Sequence, residues 1–174
     1  MKIDTIQIYR ENKVLMKSYD LSNYGFFEKG TVREFLDFTV KLVVERSETE
    51  GLIIYSHENY VCLCIKREQH YGVAIVHPSY PKFVGAKFVE AVLNEPHRIH
   101  DLLKEYSVPE NVDKLTKAQK EVDETIEVLS HAFEKLLERG EKLDDLIDKS
   151  NDLSATSKLF YKNTKKLNSC CMII

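Results

Sequence analysis

Between Leu115 and Leu167, steps of three and four residues taken in turn land almost without interruption on apolar or small side chains. The positions are Leu115, Ala118, Val122, Thr125, Leu129, Ala132, Leu136, Arg139, Leu143, Leu146, Ser150, Leu153, Ser157, Phe160, Thr164 and Leu167. That is a heptad seam, and a seam of this length requires helical partners, because a helix burying such a stripe alone has nothing to bury it against. One member is charged. Arg139, near the middle, brings five donors into an otherwise dry row, so partners must satisfy it. A polar residue at one seam position is the best-attested way to fix register. Gly140 beside it costs about 1 kcal/mol of helix stability relative to Ala. The isolated helix is therefore expected to be marginal, and the small members Ala118, Ala132, Ser150 and Ser157 suit a bundle of more than two helices.

The first hundred residues obey a different period. Ile3, Ile6 and Ile8 mark a strand and Val14-Leu15-Met16 a second, with a turn at Glu11-Asn12. Thr31-Val32-Arg33-Glu34 matches a capping box, so a helix is expected from there to about Arg46. Three β-rich segments follow, near 51–56, 60–66 and 71–77, and Pro78 and Pro81 end the last. A second helix fits 82–94. The order ββαβββα predicts an α+β fold, an antiparallel sheet with helices packed on it. On the first helix Val32, Phe35, Leu36, Phe38, Thr39, Val40, Leu42, Val43 and Val44 fill an arc of roughly 240°, against the ~100° of a helix with one buried side. That excess calls for a second partner, either neighbouring loops and the second helix or an interdomain or intermolecular groove. From 97 to 112 the pattern reads as a connector, with room for one helical turn around Asp101–Lys104. His97 and His100 could share a face there but read as surface histidines.

Composition excludes several functions. A net charge of −3 with scattered basic residues leaves no footprint for nucleic acid. No apolar run reaches the length of a bilayer span and the first residues lack the apolar region of a signal peptide, so a cytosolic protein is expected. Six scattered glycines and no phosphate-binding loop exclude a small GTPase. Cys62 and Cys64 alternate on one strand face and read as buried thiols. A nucleophile near His57 or His70 is the enzymatic alternative, with nothing in the sequence to fix its geometry.

The chain closes on Cys170-Cys171-Met172-Ile173-Ile174, a cysteine followed by two aliphatic residues and a last residue, which is the prenylation pattern. Cys171 is the expected prenyl site and Cys170 a palmitoylation site, with Lys158, Lys162, Lys165 and Lys166 just upstream. One chain binds membranes only marginally, so a second acyl chain or a basic patch is needed for stable anchoring. Ile174 leaves the isoprenoid type open.

The run Leu136-Leu137-Glu138-Arg139-Gly140-Glu141-Lys142-Leu143-Asp144-Asp145-Leu146 resembles the central stretch of the R-SNAREs, the synaptobrevin-like fusion proteins. With a Cys-Cys ending in place of a transmembrane helix, the chain is similar to their lipid-anchored, prenylated type, which carries an N-terminal longin domain of profilin-like fold. Tyr24-Gly25-Phe26-Phe27 and Thr31 to Arg46 fit the longin part. The resemblance implies a longin domain over 1–106, a linker over 107–112, a SNARE coiled-coil motif over 113–167 and a lipidation tail over 168–174. It also implies that one helix joins three glutamine-bearing SNARE helices in a parallel four-helix bundle, with Arg139 donating to the glutamines. Assembly would drive membrane fusion with no enzyme activity, cofactor or metal, on the cytoplasmic face of Golgi, vesicle or endosomal membranes. A reversibly anchored chain must cover its seam while in cytosol. The over-wide first helix, with Phe38 and Leu42 at its edge, is the expected fold-back surface for an autoinhibited state. A longin-type adaptor or tethering subunit is the alternative, and it accounts for the first hundred residues but not for the seam.

Overall fold

The computed structural model describes residues 2–108, 110–112, 114 and 128–170. Strands β1 (Ile3–Arg10) and β2 (Lys13–Tyr19) form a hairpin, followed by the long helix α1 (Glu28–Arg46). A meander of β3 (Gly51–Ser56), β4 (Val61–Arg67) and β5 (His70–Val76) leads into α2 (Lys82–Asn94). Among the described residues the sheet has six strands in the order β2-β1-β5-β4-β3-β6. Its last member, β6 (Val128–Ala132), comes from the seam segment and pairs parallel with β3, whereas every other neighbour is antiparallel.

Both faces of the sheet are covered, which is why its central strands are apolar throughout rather than alternating. Ile6, Ile8, Ile54, Leu63 and Ala74 pack against Val84, Phe88, Val89 and Val92 of α2. Helix α2 rides close because position 85 is glycine: a Cβ there would meet Leu63 Cδ1 at 2.2 Å. Tyr9, Ile53, Tyr55, Cys62, Cys64 and Val73 point to the opposite face, onto Val32, Leu36, Val40, Val43 and Val44 of α1. The α+β architecture expected from the pattern is the one observed.

Two local expectations differ from the structure. Helix α1 begins at Glu28, so Thr31 is buried within it and caps nothing. The start is closed instead by Glu28, whose carboxylate accepts the Gly25 N–H at 2.8 Å, the half of a capping box that needs no hydroxyl. The connector is also more ordered than expected. A helix, α3 (Ile99–Ser107), follows a short 3-10 turn at Pro96–Arg98, buries Ile99, Leu102 and Leu103, and runs one residue past the expected end of the longin domain. Val112, in the expected linker, is buried in the same core. His100 is held by Ser18, Nδ1 to Oγ 2.8 Å.

Candidate functional site: the face of α1 and the open edge of β3

Residues 128–163 lie across the side of the molecule that α1 presents, and the sheet edge explains where they start. Strand β3 would otherwise leave a row of unpaired backbone groups. Val128–Ala132 fill it in the register Leu52↔Val128 to Ser56↔Ala132. A 3-10 turn, Phe133–Leu136, then drops Phe133 into the core at 1% exposure. Its ring meets Tyr60 edge-on at 5.5 Å, and Tyr60 stacks on His57 at 4.6 Å. Burial raises the Tyr60 hydroxyl well above its ordinary range.

Leu136 is buried beside the end of α1, and its carbonyl accepts from Arg46 Nη1 at 2.8 Å. The same guanidinium grips Glu141 through both nitrogens, Nη2 to Oε1 at 3.1 Å and Nη1 to Oε2. Glu141 also accepts the Glu138 N–H at 3.0 Å, closing the turn that contains Arg139 and Gly140. With Arg46 and that N–H on it, the Glu141 carboxyl is lowered to about 2. The turn needs φ +85° at position 140, a left-handed conformation that glycine adopts without strain.

After the turn, α4 (Leu143–Lys149) buries Ile147, and Leu143 and Leu146 pack on the α1 cluster. Helix α5 (Ala155–Cys170) follows. Glu34 of α1 anchors its start, accepting from Ser154 N–H at 2.8 Å and Ser157 Oγ at 2.7 Å, and these donors lower its carboxyl, the Ser154 N–H most. Lys41 pairs with Asp152 at 2.5 Å. Phe35 stacks on Tyr161, centroids 5.4 Å apart and planes 21° apart, while the Tyr161 hydroxyl donates to Asp144 at 3.2 Å. Burial, with Asp144 beside it, pushes that hydroxyl up to about 12.

The expected seam residues thus have unequal places. Leu115, Ala118, Val122 and Thr125 lie outside the described residues, as does Cys171. Leu136, Leu153 and Ser157 are buried; Leu129, Leu143, Leu146, Ser150 and Phe160 are half-buried; Ala132 and Arg139 are exposed. Thr164, Leu167 and Cys170 are on the backbone of α5. Lys158 and Lys162 reach Asp148, at its carbonyl (2.8 Å) and its carboxylate (2.7 Å). Leu42 is buried in the α1 cluster and Phe38 is half-buried, while the ring of α1 that stacks on Tyr161 is that of Phe35. A heptad seam predicts one continuous helix, and here the segment is broken: strand, 3-10 turn, left-handed turn, two helices. Sequence reasoning also missed Arg46, Glu34, Glu141, Phe133, Ile147 and Tyr161. The last three carried a usable signal, since each immediately follows a seam position and they recur every two heptads.

Cys62 and Cys64 are buried under α1, and burial pushes both thiols up, Cys64 to about 12, so neither supplies a thiolate. Among the described residues no helix is long and apolar enough to cross a membrane.

A longin-type sheet followed by a heptad segment with one central arginine defines an R-SNARE. Comparison with known proteins agrees. The Synaptobrevin family profile matches residues 114–173. Synaptobrevin homolog ykt6 of Schizosaccharomyces pombe is 33% identical over 196 aligned positions, covering 99% of this chain and all of the relative. Synaptobrevin homolog YKT6 of Eremothecium gossypii is 36% identical, with both chains covered in full. VAMP-like protein YKT61 of Arabidopsis thaliana is 32% identical over 92% of this chain and 90% of its own. The chain belongs to the synaptobrevin-like R-SNARE family. It is an R-SNARE of vesicle fusion, contributing one helix to a SNARE bundle, in a family that works by assembly rather than catalysis.

Proposed function

We propose that the arrangement of residues 128–163 on α1 and β3 is an autoinhibited state of this R-SNARE, in which its own longin unit competes with glutamine-bearing SNAREs for the 113–167 motif. The observation that carries the reading is the conformation of Val128–Ala132. Paired as a strand with β3, these residues cannot give Leu129 and Ala132 to a helical bundle at the same time. The two states exclude each other at the level of the backbone, so any partner that forms the bundle must first strip β6 from the sheet. Once the bundle forms, Arg139 donates to three partner glutamines in the central layer.

The membrane side of the function rests on the tail. Prenylation of Cys171 and palmitoylation of Cys170, aided by Lys158, Lys162, Lys165 and Lys166, hold the chain reversibly on Golgi, vesicle or endosomal membranes, and the closed state accompanies the cytosolic pool. Amide exchange across Val128–Leu136, before and after mixing the chain with glutamine-bearing SNAREs, tests the reading. We expect slow exchange in the free chain and a gain of helix on assembly. Full exchange of these amides in the free chain would remove the closed state.

A further inference from the structure

The loop between β2 and α1 carries apolar surface that the closed state leaves uncovered. Phe26 is 84% exposed and Phe27 92%, with their rings edge-to-face at 5.4 Å. The loop holds them out while turning its other apolar groups in. Leu21 is buried, and the Tyr24 hydroxyl reaches Asp4 at 3.3 Å. The backbone is fastened on both sides of the pair: Tyr24 N–H to Leu21 O at 3.2 Å, Glu28 and Lys29 N–H to Gly25 O at 3.0 and 3.2 Å, and Gly25 N–H to the Glu28 carboxylate. A tip ordered in advance loses little conformational freedom when its rings enter an apolar phase.

We propose that Phe26 and Phe27 insert into the lipid bilayer interface, giving the protein a membrane contact besides its C-terminal anchor. The choice of lipid rests on the anchor reading above and on three features of the site. Neither ring has a polar atom, and exposure this complete describes projecting rings rather than the lining of a groove. The carboxylates around the pair are turned onto internal donors: Asp20 onto Ser22, Glu28 onto Gly25, Glu34 onto Ser154 and Ser157. Lys29 and Arg33 lie on the first turns of α1, Arg33 with its guanidinium over the Tyr19 ring at 5.0 Å, and place positive charge on the side of the loop for anionic headgroups. The contacts also place the last helix. Ser154 and Ser157 meet Glu34 and Tyr161 meets Phe35, so the start of α5 lies over the N-terminal half of α1, the half that follows Phe27.

The chain contains no tryptophan, so Phe27→Trp creates a single reporter in the full chain. The probe is a vesicle of phosphatidylcholine and phosphatidylserine containing brominated acyl chains, mixed with the prenylated and the unprenylated forms. We expect a blue shift and bromine quenching with the prenylated form. In the prenylated Cys170→Ser chain, whose single lipid binds only marginally, Phe26→Ala with Phe27→Ala should lower vesicle partitioning about tenfold. Both rings are exposed, so folding is not at risk. Emission unchanged by vesicles, or shifted only when glutamine-bearing SNAREs are added, overturns the proposal. Failure of the prenylated wild type to float with vesicles is a separate result and counts against the anchor.

Discussion

Arg46 and Glu141 show how one ion pair can close a turn that sequence reading assigns to a helix. The guanidinium binds the Leu136 carbonyl and the Glu141 carboxylate together, so Arg46→Ala leaves both acceptors without their donor. Charge-assisted bonds of this kind contribute roughly 1.5–3 kcal/mol, and we expect Arg46→Ala to raise the open population tenfold or more, measured by amide exchange on 128–163. Because Glu141 titrates at about 2 in the closed state against an ordinary 4.5, the closed state binds fewer protons than the open one. Its contribution is full above about pH 4.5 and fades as the pH falls toward 2. Glu141→Gln should remove that part of the acid dependence, and an unchanged acid limb by small-angle scattering would speak against the pair. Arg139 separates the two states differently. It is exposed here, so Arg139→Leu should leave the closed form intact while weakening the assembled bundle, where each unsatisfied buried glutamine costs about 1–3 kcal/mol. Arg139→Gln should be milder. Equal melting temperatures for bundles of wild type and Arg139→Leu would remove Arg139 from the central layer.

Elements are where local pattern and tertiary context part company. Strands β3, β4 and β5 were legible because Gly51, Pro78 and neighbouring polar residues bracket β-rich runs, and α1's wide apolar arc correctly called for a second covering layer. The start of α1 was not legible, since Thr31-x-x-Glu34 imitates a cap while Glu34 is spent on Ser154 and Ser157. Helix α3 was legible beyond the single turn expected at Asp101–Lys104: Ile99, Leu102, Leu103 and Tyr106 have helical spacing beneath a charged surface. Strand β6 could not be read from its own sequence, because its heptad pattern is that of a helix and the cause of its strand form is the free edge of β3, far away in the chain. The same broken segment yields a test. Phe133, Ile147 and Tyr161 sit just beside the seam, so in the proposed closed state they pack on the longin side without occupying seam positions. Phe133→Ala should destabilise the closed state by about 3–5 kcal/mol, the usual cost of removing a buried Phe, while every seam residue remains. Loss of protection in 128–136 with undiminished bundle stability is the expected pair of results; a bundle weakened as much as the closed state would place Phe133 in both.

Across the whole molecule, the proposed anchor and the proposed fold-back act on one segment from its two ends. Cys171→Ser should release the protein wholly to the soluble fraction, since without the prenyl chain Cys170 is no longer brought to the membrane where it is acylated, whereas Cys170→Ser should leave weak, salt-sensitive binding. Identical fractionation of the two variants would place the anchor elsewhere. In the proposed closed state the fold-back sets the rate at which the seam becomes available. A partner that binds only the open chain sees its affinity reduced by the open fraction, and its association rate cannot exceed the rate of opening. Assembly of the wild type with labelled glutamine-bearing SNAREs should therefore reach a plateau as their concentration rises, limited by release of β6 and Phe133 from the sheet. Phe133→Ala, which keeps the seam, should raise that plateau at least tenfold, the factor that corresponds to about 1.4 kcal/mol and a modest share of the buried ring's contribution. A stopped-flow trace that stays linear in partner concentration, with the same slope in both proteins, would mean that 128–163 leave the sheet too readily for the closed state to restrain fusion.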